Sequence, residues 1–419
     1  MSNPELARLF LLQFAALLLV CRAVGVLAKR VGQPQVIAEM IAGILLGPSL
    51  FGWILPDLHA ALFPRDSMPV LYVVSQLGLV LYMFTIGTEF ELGVAGERLR
   101  SAISISLAGI IAPFALAAVL ALTLVRGGGY FGDEVLPWQA VLYLGAAMAV
   151  TAFPVLARII QERGIAGTPI GTLTLAAGAS DDAAAWCLLA AVLASFNADP
   201  TLVVQAFGGG MLYVLVAFLA VRPLFARLGA RVERSGQLDG ATLALVLFTV
   251  AAAGWFTERI GIHAVFGAFV FGAAMPRGLM ARELRAAIQP LTTHVILPLF
   301  FVYSGLNTHV GLLRSASDWA MTGAIVFVAS AGKVGACWAA ARATGFAQRD
   351  AFAIGALMNA RGLMELIVLN IGLERGLITP TLFTMMVIMA IVTTVAAAPL
   401  FALARPAQSP KHTIVPSIR

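Results

Sequence analysis

Apolar stretches of membrane-spanning length follow one another along nearly the whole 419-residue chain. A transmembrane helix needs ~20 consecutive apolar residues. Thirteen stretches are candidates, centred near Leu18, Ile44, Leu79, Ala112, Gly145, Ala185, Val214, Leu247, Val270, Leu297, Phe327, Ile367 and Met389. The chain is 60% hydrophobic and only 11% charged, where a soluble domain carries roughly 25% charged residues. The expected class is therefore an all-α membrane protein with 13 transmembrane helices. No segment outside the spans is long enough for an independent domain. The first apolar run lacks a preceding n-region and cleavage site, so it is expected to be retained as a span.

The net charge of +6 is a topology signal rather than a nucleic-acid signal, as its placement shows. With the spans numbered in order, eighteen lysines and arginines fall after odd-numbered spans or in the tail. Among them are Lys29, Arg98, Arg158, Arg222, Arg277, Arg342, Arg405, Lys411 and Arg419. Six lie on the other side: Arg8, Arg65, Arg126, Arg259, Arg314 and Arg375. Positive charge stays cytoplasmic. The bias predicts an N-terminus outside, a cytoplasmic C-terminus and an odd number of spans, in a cell membrane. The three cysteines, Cys21, Cys187 and Cys337, sit in apolar runs without metal or disulfide spacing and read as small core residues.

Several spans are irregular. The second is boxed between Pro34 and Pro48, and the ninth between Glu258 and Pro276, so both are expected to be short. The fifth contains Thr151-Ala-Phe-Pro154 and the twelfth Asn359-Ala-Arg-Gly362, where proline and glycine would interrupt a helix and free backbone groups to line a cavity. A weak repeat runs through the same places. Leu79–Gly87 (LVLYMFTIG) matches Leu297–Gly305 (LPLFFVYSG), and Ala42–Gly47 matches Gly267–Gly272. Both pairs, and the two interrupted spans, are seven spans apart. An odd separation inverts the second copy, and inverted repeats with interrupted helices characterise secondary transporters. The expected organisation is a first repeat over 1–200, a linker helix over 201–238, a second repeat over 239–405 and a short cytoplasmic tail over 406–419.

Asp181 and Asp182 stand side by side inside Leu173–Ala194, a window with no other charge. Ionisable groups at membrane depth usually mark ion paths or proton relays. Adjacent carboxylates repel, so ionising both costs more than ionising one. On a helix they point ~100° apart, so one can face a fixed partner and the other a water-filled cavity. The competing reading is a helix N-cap at Ser180-Asp181-Asp182. Lys333 is too deep in Ala324–Ala340 to reach either surface, and the acid pair is its natural partner. Arg361 and Glu365 are spaced to pair on one helix face beside the second break. Thr151 and Asn359 stand at the breaks, where hydroxyl, amide and freed carbonyl oxygens can replace water around a cation. Glu39 falls in the short second span, at a cavity mouth or an interface. Arg22 is expected to snorkel, and His263 and His294 to be satisfied by hydrogen bonds rather than to sense pH.

At these motifs the sequence resembles the monovalent cation:proton antiporters, in particular the second branch of that superfamily. Gly32–Pro48 (GQPQVIAEMIAGILLGP) is similar to the family's early signature. Val150–Arg158 (VTAFPVLAR), Gly261–Gly272 (GIHAVFGAFVFG) and Gly362–Gly372 (GLMELIVLNIG) resemble the plant and fungal cation/proton exchangers and their bacterial relatives. The resemblance implies a sodium/proton-antiporter-like fold with a core domain, a dimerisation domain and two crossed, unwound helices at the fifth and twelfth spans. It matches the family's acidic pair to Asp181 and Asp182, its core lysine to Lys333 and its second-repeat basic residue to Arg361. It further implies electrogenic exchange of Na⁺ or K⁺ for H⁺ by a homodimer, with the aspartate pair leaning towards sodium. No cofactor is implied, and no nucleotide-binding regulatory domain is expected after the last span.

The leading expectation is a proton-coupled antiporter. Asp182 would hold the cation or protons, while Asp181 alternates between Lys333 and the site. A channel would need a filter-like loop, which the sequence lacks. An organic-anion symporter would couple cation and solute uptake without proton counter-flow. An ion receptor would need an output domain. An enzyme is not expected, because the acids lack a nucleophile–base set, metal-ligand spacing or a phosphate-binding glycine loop.

Overall fold

A computed structural model describes residues 1–33, 35–89, 99–197, 201–306, 313 and 315–405. The tail expected over 406–419, with Lys411 and Arg419, lies outside the described residues, as do Pro34, Arg98 and Arg314. The fold is all-helical. Its principal helices are α1 (Asn3–Arg30), α2 (Gln35–Leu46), α3 (Met68–Glu89), α4 (Leu99–Gly127), α5 (Pro137–Ala149), α6 (Phe153–Glu162), α7 (Pro169–Asn197) and α8 (Thr201–Val216). They continue with α9 (Arg222–Ser235), α10 (Gly240–Arg259), α11 (Ala264–Ala274), α12 (Leu279–Leu291), α13 (Leu297–Leu306), α14 (Ala316–Ala343), α15 (Gln348–Met358), α16 (Leu363–Glu374) and α17 (Pro380–Ala404). Short π-helical turns, Ala217–Val221 and Thr292–Ile296, join α8 to α9 and α12 to α13. Among the described residues nine stretches are long and apolar enough to cross a membrane.

Local chemistry explains the irregular helices. α2 and α11 are short, with 12 and 11 residues. α11 starts at His263, whose ring accepts the Val265 amide at 3.3 Å, and stops at Met275 before Pro276. α10 starts where the Asp239 carboxylate accepts the Thr242 amide at 2.6 Å, an ordinary N-cap. Between α5 and α6 the backbone is extended at Val150 and Ala152, and α6 resumes with proline in its first turn, where the missing N–H has no helical partner to lose. The chain is likewise non-helical between Met358 and Leu363. The expected interruptions therefore fall at Thr151 and Asn359.

Helices α3 and α11 pack along one another, as do α2 and α13, and α4 and α14. The α3–α11 crossing is tight enough to require glycine on both sides. A Cβ on Gly87 would meet the Gly272 Cα and Ala273 N at 2.9 Å, and one on Gly272 would meet the Gly87 Cα at 3.0 Å. One apolar cluster gathers α4, α5, α14 and α17 through residues such as Leu144, Ile325 and Met386. Another gathers α1, α2, α3 and α13 through Leu17, Ala42, Leu71 and Val302. A larger one includes Phe84, Phe153, Phe271 and Leu357. Cys21 and Cys337 are buried free thiols.

Candidate functional site

Helix α7 runs unbroken through Asp181 and Asp182, so the pair is not a helix cap. Each is 1% exposed. Their surroundings differ completely. Asp181 Oδ2 accepts from Lys333 Nζ at 2.5 Å and from Thr151 Oγ1 at 2.9 Å, and Oδ1 accepts from Ser106 Oγ at 2.6 Å. Neither oxygen of Asp182 accepts a hydrogen bond from the described residues. An unsatisfied buried acceptor costs roughly 1–3 kcal/mol, more when charged, so Asp182 is the group here with unused binding capacity.

Lys333, fully buried on α14, has three protons and three acceptors: Asp181, the Gly109 carbonyl of α4 at 2.8 Å and the Ala149 carbonyl of α5 at 2.7 Å. Arg361 reaches the same helix end, donating to Met148 O at 2.8 Å and Val150 O at 3.4 Å. Two buried cations thus hold the last carbonyls of α5, where the helix dipole is negative. Arg361 also lies 3.6 Å from Glu365 Oε1, one turn on, and its backbone N–H donates to the Thr394 hydroxyl of α17 at 2.9 Å, a hydroxyl that lies 2.7 Å from both Arg361 O and Ala390 O.

The two interruptions meet. The Ala152 amide donates to Ala360 O at 3.0 Å. Thr151 Oγ1 lies within hydrogen-bond distance of both Asp181 and Met358 O, at 3.1 Å, yet a hydroxyl donates one proton. Thr151 can therefore satisfy the acid or the helix end, but not both at once. Both amide atoms of Asn359 are buried and unpartnered among the described residues, like the Asp182 carboxylate. The structure thus joins Asp181, Thr151 and Lys333 into one hydrogen-bonded group and Arg361 with Glu365 into another, while no hydrogen bond or ion pair ties Asp182 or Asn359 to either.

Two parts of the site escape sequence reasoning. Ser106 is a small polar residue in an apolar run, and only its contact with Asp181 singles it out. Arg158 reads as a loop charge in the sequence, yet it is buried within α6. Its guanidinium bonds Glu162 at 2.6 Å and Thr293 O at 3.3 Å, and lies 3.9 Å from Glu39 of α2. Glu39 therefore belongs to a buried ion cluster with Arg158 and forms no ion pair with the lysine that holds Asp181.

Helices interrupted in register, with buried acids beside the breaks, define the architecture of a secondary transporter. The family model described as the transmembrane sodium/hydrogen exchanger matches residues 15–403, and the chain belongs to that family. It is 39% identical over 399 residues to the Na⁺/H⁺ antiporter NhaS4 of Synechocystis sp., covering 93% of this chain and 95% of that one. It is 36% identical to cation/H⁺ antiporter 18 of Arabidopsis thaliana and 32% identical to K⁺/H⁺ antiporter 1 of Saccharomyces cerevisiae, over 96% and 95% of this chain. It spans about half the length of those two, 50% and 46%. The sodium proton antiporter MjNhaP1 of Methanocaldococcus jannaschii superposes with a TM-score of 0.66 over 95% of this chain and 96% of that one, at 14% identity, a likeness of fold alone.

Proposed function

We propose that the protein exchanges a monovalent cation, Na⁺ or K⁺, for protons across a cell membrane by alternating access at the aspartate pair. The observation that carries this reading is the asymmetry of the pair: Asp181 is held by Lys333, Thr151 and Ser106, while both Asp182 oxygens have no partner among the described residues. Asp182 is the first ligand of the cation, and Asn359, whose amide is likewise buried and unpartnered among the described residues, is a second candidate. A proton and a cation compete for the same carboxylate, so exchange needs no separate coupling device. When the cation draws Asp181 into the site, Lys333 loses its carboxylate partner, while Gly109 O and Ala149 O keep the amine in place. Thr151 then turns its single proton to Met358 O. We take the cycle to be electrogenic, with more than one proton exchanged for each cation.

The same reading counts α2–α17 as the expected thirteen spans once α1 is added. The nine long spans are joined by α7, by the short α11 and by the two interrupted pairs α5–α6 and α15–α16. The pairs cross at their breaks, supported by the Ala152–Ala360 bond. The reciprocal packing of α2 on α13 and α3 on α11 fits inverted repeats over 1–200 and 239–405, joined by a linker over 201–238. The N-terminus lies outside, the C-terminus inside, and the protein works as a homodimer. The test is flux in proteoliposomes with Na⁺, K⁺ and Li⁺ in turn. Cation-dependent proton movement is expected, and Asp182→Asn is expected to abolish it; unchanged flux in that variant would sink the assignment.

A further inference from the structure

We propose that the protein holds one anionic phospholipid beside the acid-bearing helix, with an acyl chain along α8 and the phosphate at Arg222. A cavity of about 860 Å³ opens between α7, α8 and α11. Its size falls within the ~300–1,000 Å³ range of small-molecule sites. Phe207, Met211, Phe218, Ile262 and Phe266 form its walls, and among the described residues none of its lining side chains is charged or carries a hydrogen-bonding group. Such a wall would strip a polar ligand of water and return nothing. The occupant must therefore be apolar where it touches the wall.

Length and charge narrow the choice to a lipid. Beyond the buried Ala206, the lining stripe of α8 and its π-turn runs from the exposed Phe207 to Leu219. At ~1.5 Å per residue it rises ~18 Å, close to the ~15 Å depth of one leaflet of a ~30 Å core. One helical turn beyond Phe218 and Leu219, on the same face, stands Arg222, which is exposed. Arg222 is also ~31 Å along the axis from the start of α8, one full core thickness, so it falls at the headgroup level. The exposed Arg227, Arg231 and Arg234 extend the positive field beyond it. A leaflet-long apolar groove ending at a guanidinium fits an acyl chain below an anionic phosphate. The wall also includes Ala184, two residues from Asp182 on α7, so a bound chain touches the helix that carries the acids.

The glycines of α8 supply the test. A Cβ at Gly208 meets nothing within 4 Å, so Gly208→Phe can fill the groove from its own wall. The full chain, purified in mild detergent, is titrated with dioleoyl phosphatidylglycerol or dioleoyl phosphatidylcholine and weighed by native mass spectrometry. Wild type should retain one phosphatidylglycerol with about fivefold preference over phosphatidylcholine, the contribution of one arginine at a membrane surface. Gly208→Phe should lose the retained lipid with its melting temperature unchanged, and Arg222→Ala should bind the two lipids equally. Should Gly208→Phe fail to fold, the lipid preference of Arg222→Ala decides alone. Retention of phosphatidylglycerol by folded Gly208→Phe at the wild-type level, or an undiminished preference in Arg222→Ala, overturns the proposal. So does a change of oligomeric mass in Gly208→Phe with lipid retained, which would make the groove an interface between copies.

Discussion

The amide of Ala152 donates to the carbonyl oxygen of Ala360 across 3.0 Å, joining the two interrupted helices backbone to backbone at their breaks. Each break frees carbonyls that a continuous helix would have used. Those of α5, at Met148, Ala149 and Val150, go to the buried cations Arg361 and Lys333. Met358 O of α15 goes to Thr151, and Ala360 O to Ala152. The breaks are thus chemically unlike. One ends on fixed positive charge and the other on a backbone amide and the Thr151 hydroxyl, which lies within reach of Asp181 as well.

Lys333 and Asp181 should behave as a thermodynamic unit. Lys333→Met leaves Asp181 buried without its cation, and removing one partner of a buried pair costs about 3–5 kcal/mol. Lys333→Met/Asp181→Asn removes both charges and should recover much of that loss. Melting of the purified variants checks the stability, and the double-mutant cycle gives the coupling. Flux through Lys333→Gln, where it survives, should respond less to an imposed membrane potential than wild-type flux. An equal response would remove Lys333 from the charge-moving step.

The tight crossing of α3 and α11 sets a steric prediction. A side chain at Gly87 or Gly272 meets backbone rather than flexible atoms. Gly272→Ala is expected to destabilise by about 1–3 kcal/mol, the usual cost of overpacking. Gly323, inside α14 with nothing within 4 Å of a built Cβ, is the control. Gly323→Ala should stabilise by about 0.5–1 kcal/mol through helix propensity. Opposite shifts of melting temperature for the same substitution would locate the constraint in the crossing.

Much of this architecture is legible in the sequence because membrane helices announce their own exceptions. Pro154 and Gly362 stand beside the two observed interruptions, and Pro48 and Pro276 follow the two short helices. A lysine alone in an apolar run needs an acid, and Lys333 has Asp181. Contacts that depend on which helices become neighbours are not legible. Ser106 lies 75 positions from Asp181 and carries no local mark. Arg158 misleads for the opposite reason: it reads as a loop charge, yet it lies in α6 paired with Glu162, and both α2 and the π-turn at Thr293 close over it. Which aspartate faces the lysine is likewise a matter of helix rotation, set by packing rather than by the order of residues.

Arg158 makes a prediction of its own. It ties α6 to Glu39 of α2 and to Thr293 O, and neighbouring contacts run the same way: Tyr82 donates to Gln161 at 3.2 Å, and the Gln35 amide to Glu162 at 2.5 Å. Arg158→Ala should cost more than Glu39→Gln, because the first strands a buried carboxylate and the second removes a carboxylate whose cation keeps Glu162. Arg158→Met/Glu39→Gln should lie above Arg158→Ala in melting temperature. The reverse order would mean that Glu162 alone satisfies Arg158 and that Glu39 is held by something else.

Outside the membrane, Asp239 offers a clean pH dependence. Its carboxylate caps α10, and the hydrogen bond from the Thr242 amide holds the group below its ordinary value of 3.8. A lowered folded-state pKa means that the stabilisation is complete above the unfolded value and is lost as pH falls through the folded one. Wild type should therefore protect the first turn of α10 from amide exchange better than Asp239→Ala near neutral pH. The difference should shrink once the pH drops below 3.8 and vanish below the folded value. Asp239→Asn, which keeps an acceptor oxygen without the titration, should protect the turn independently of pH over that range. A pH-independent gap between wild type and Asp239→Ala would show that the carboxylate's charge plays no part in starting the helix.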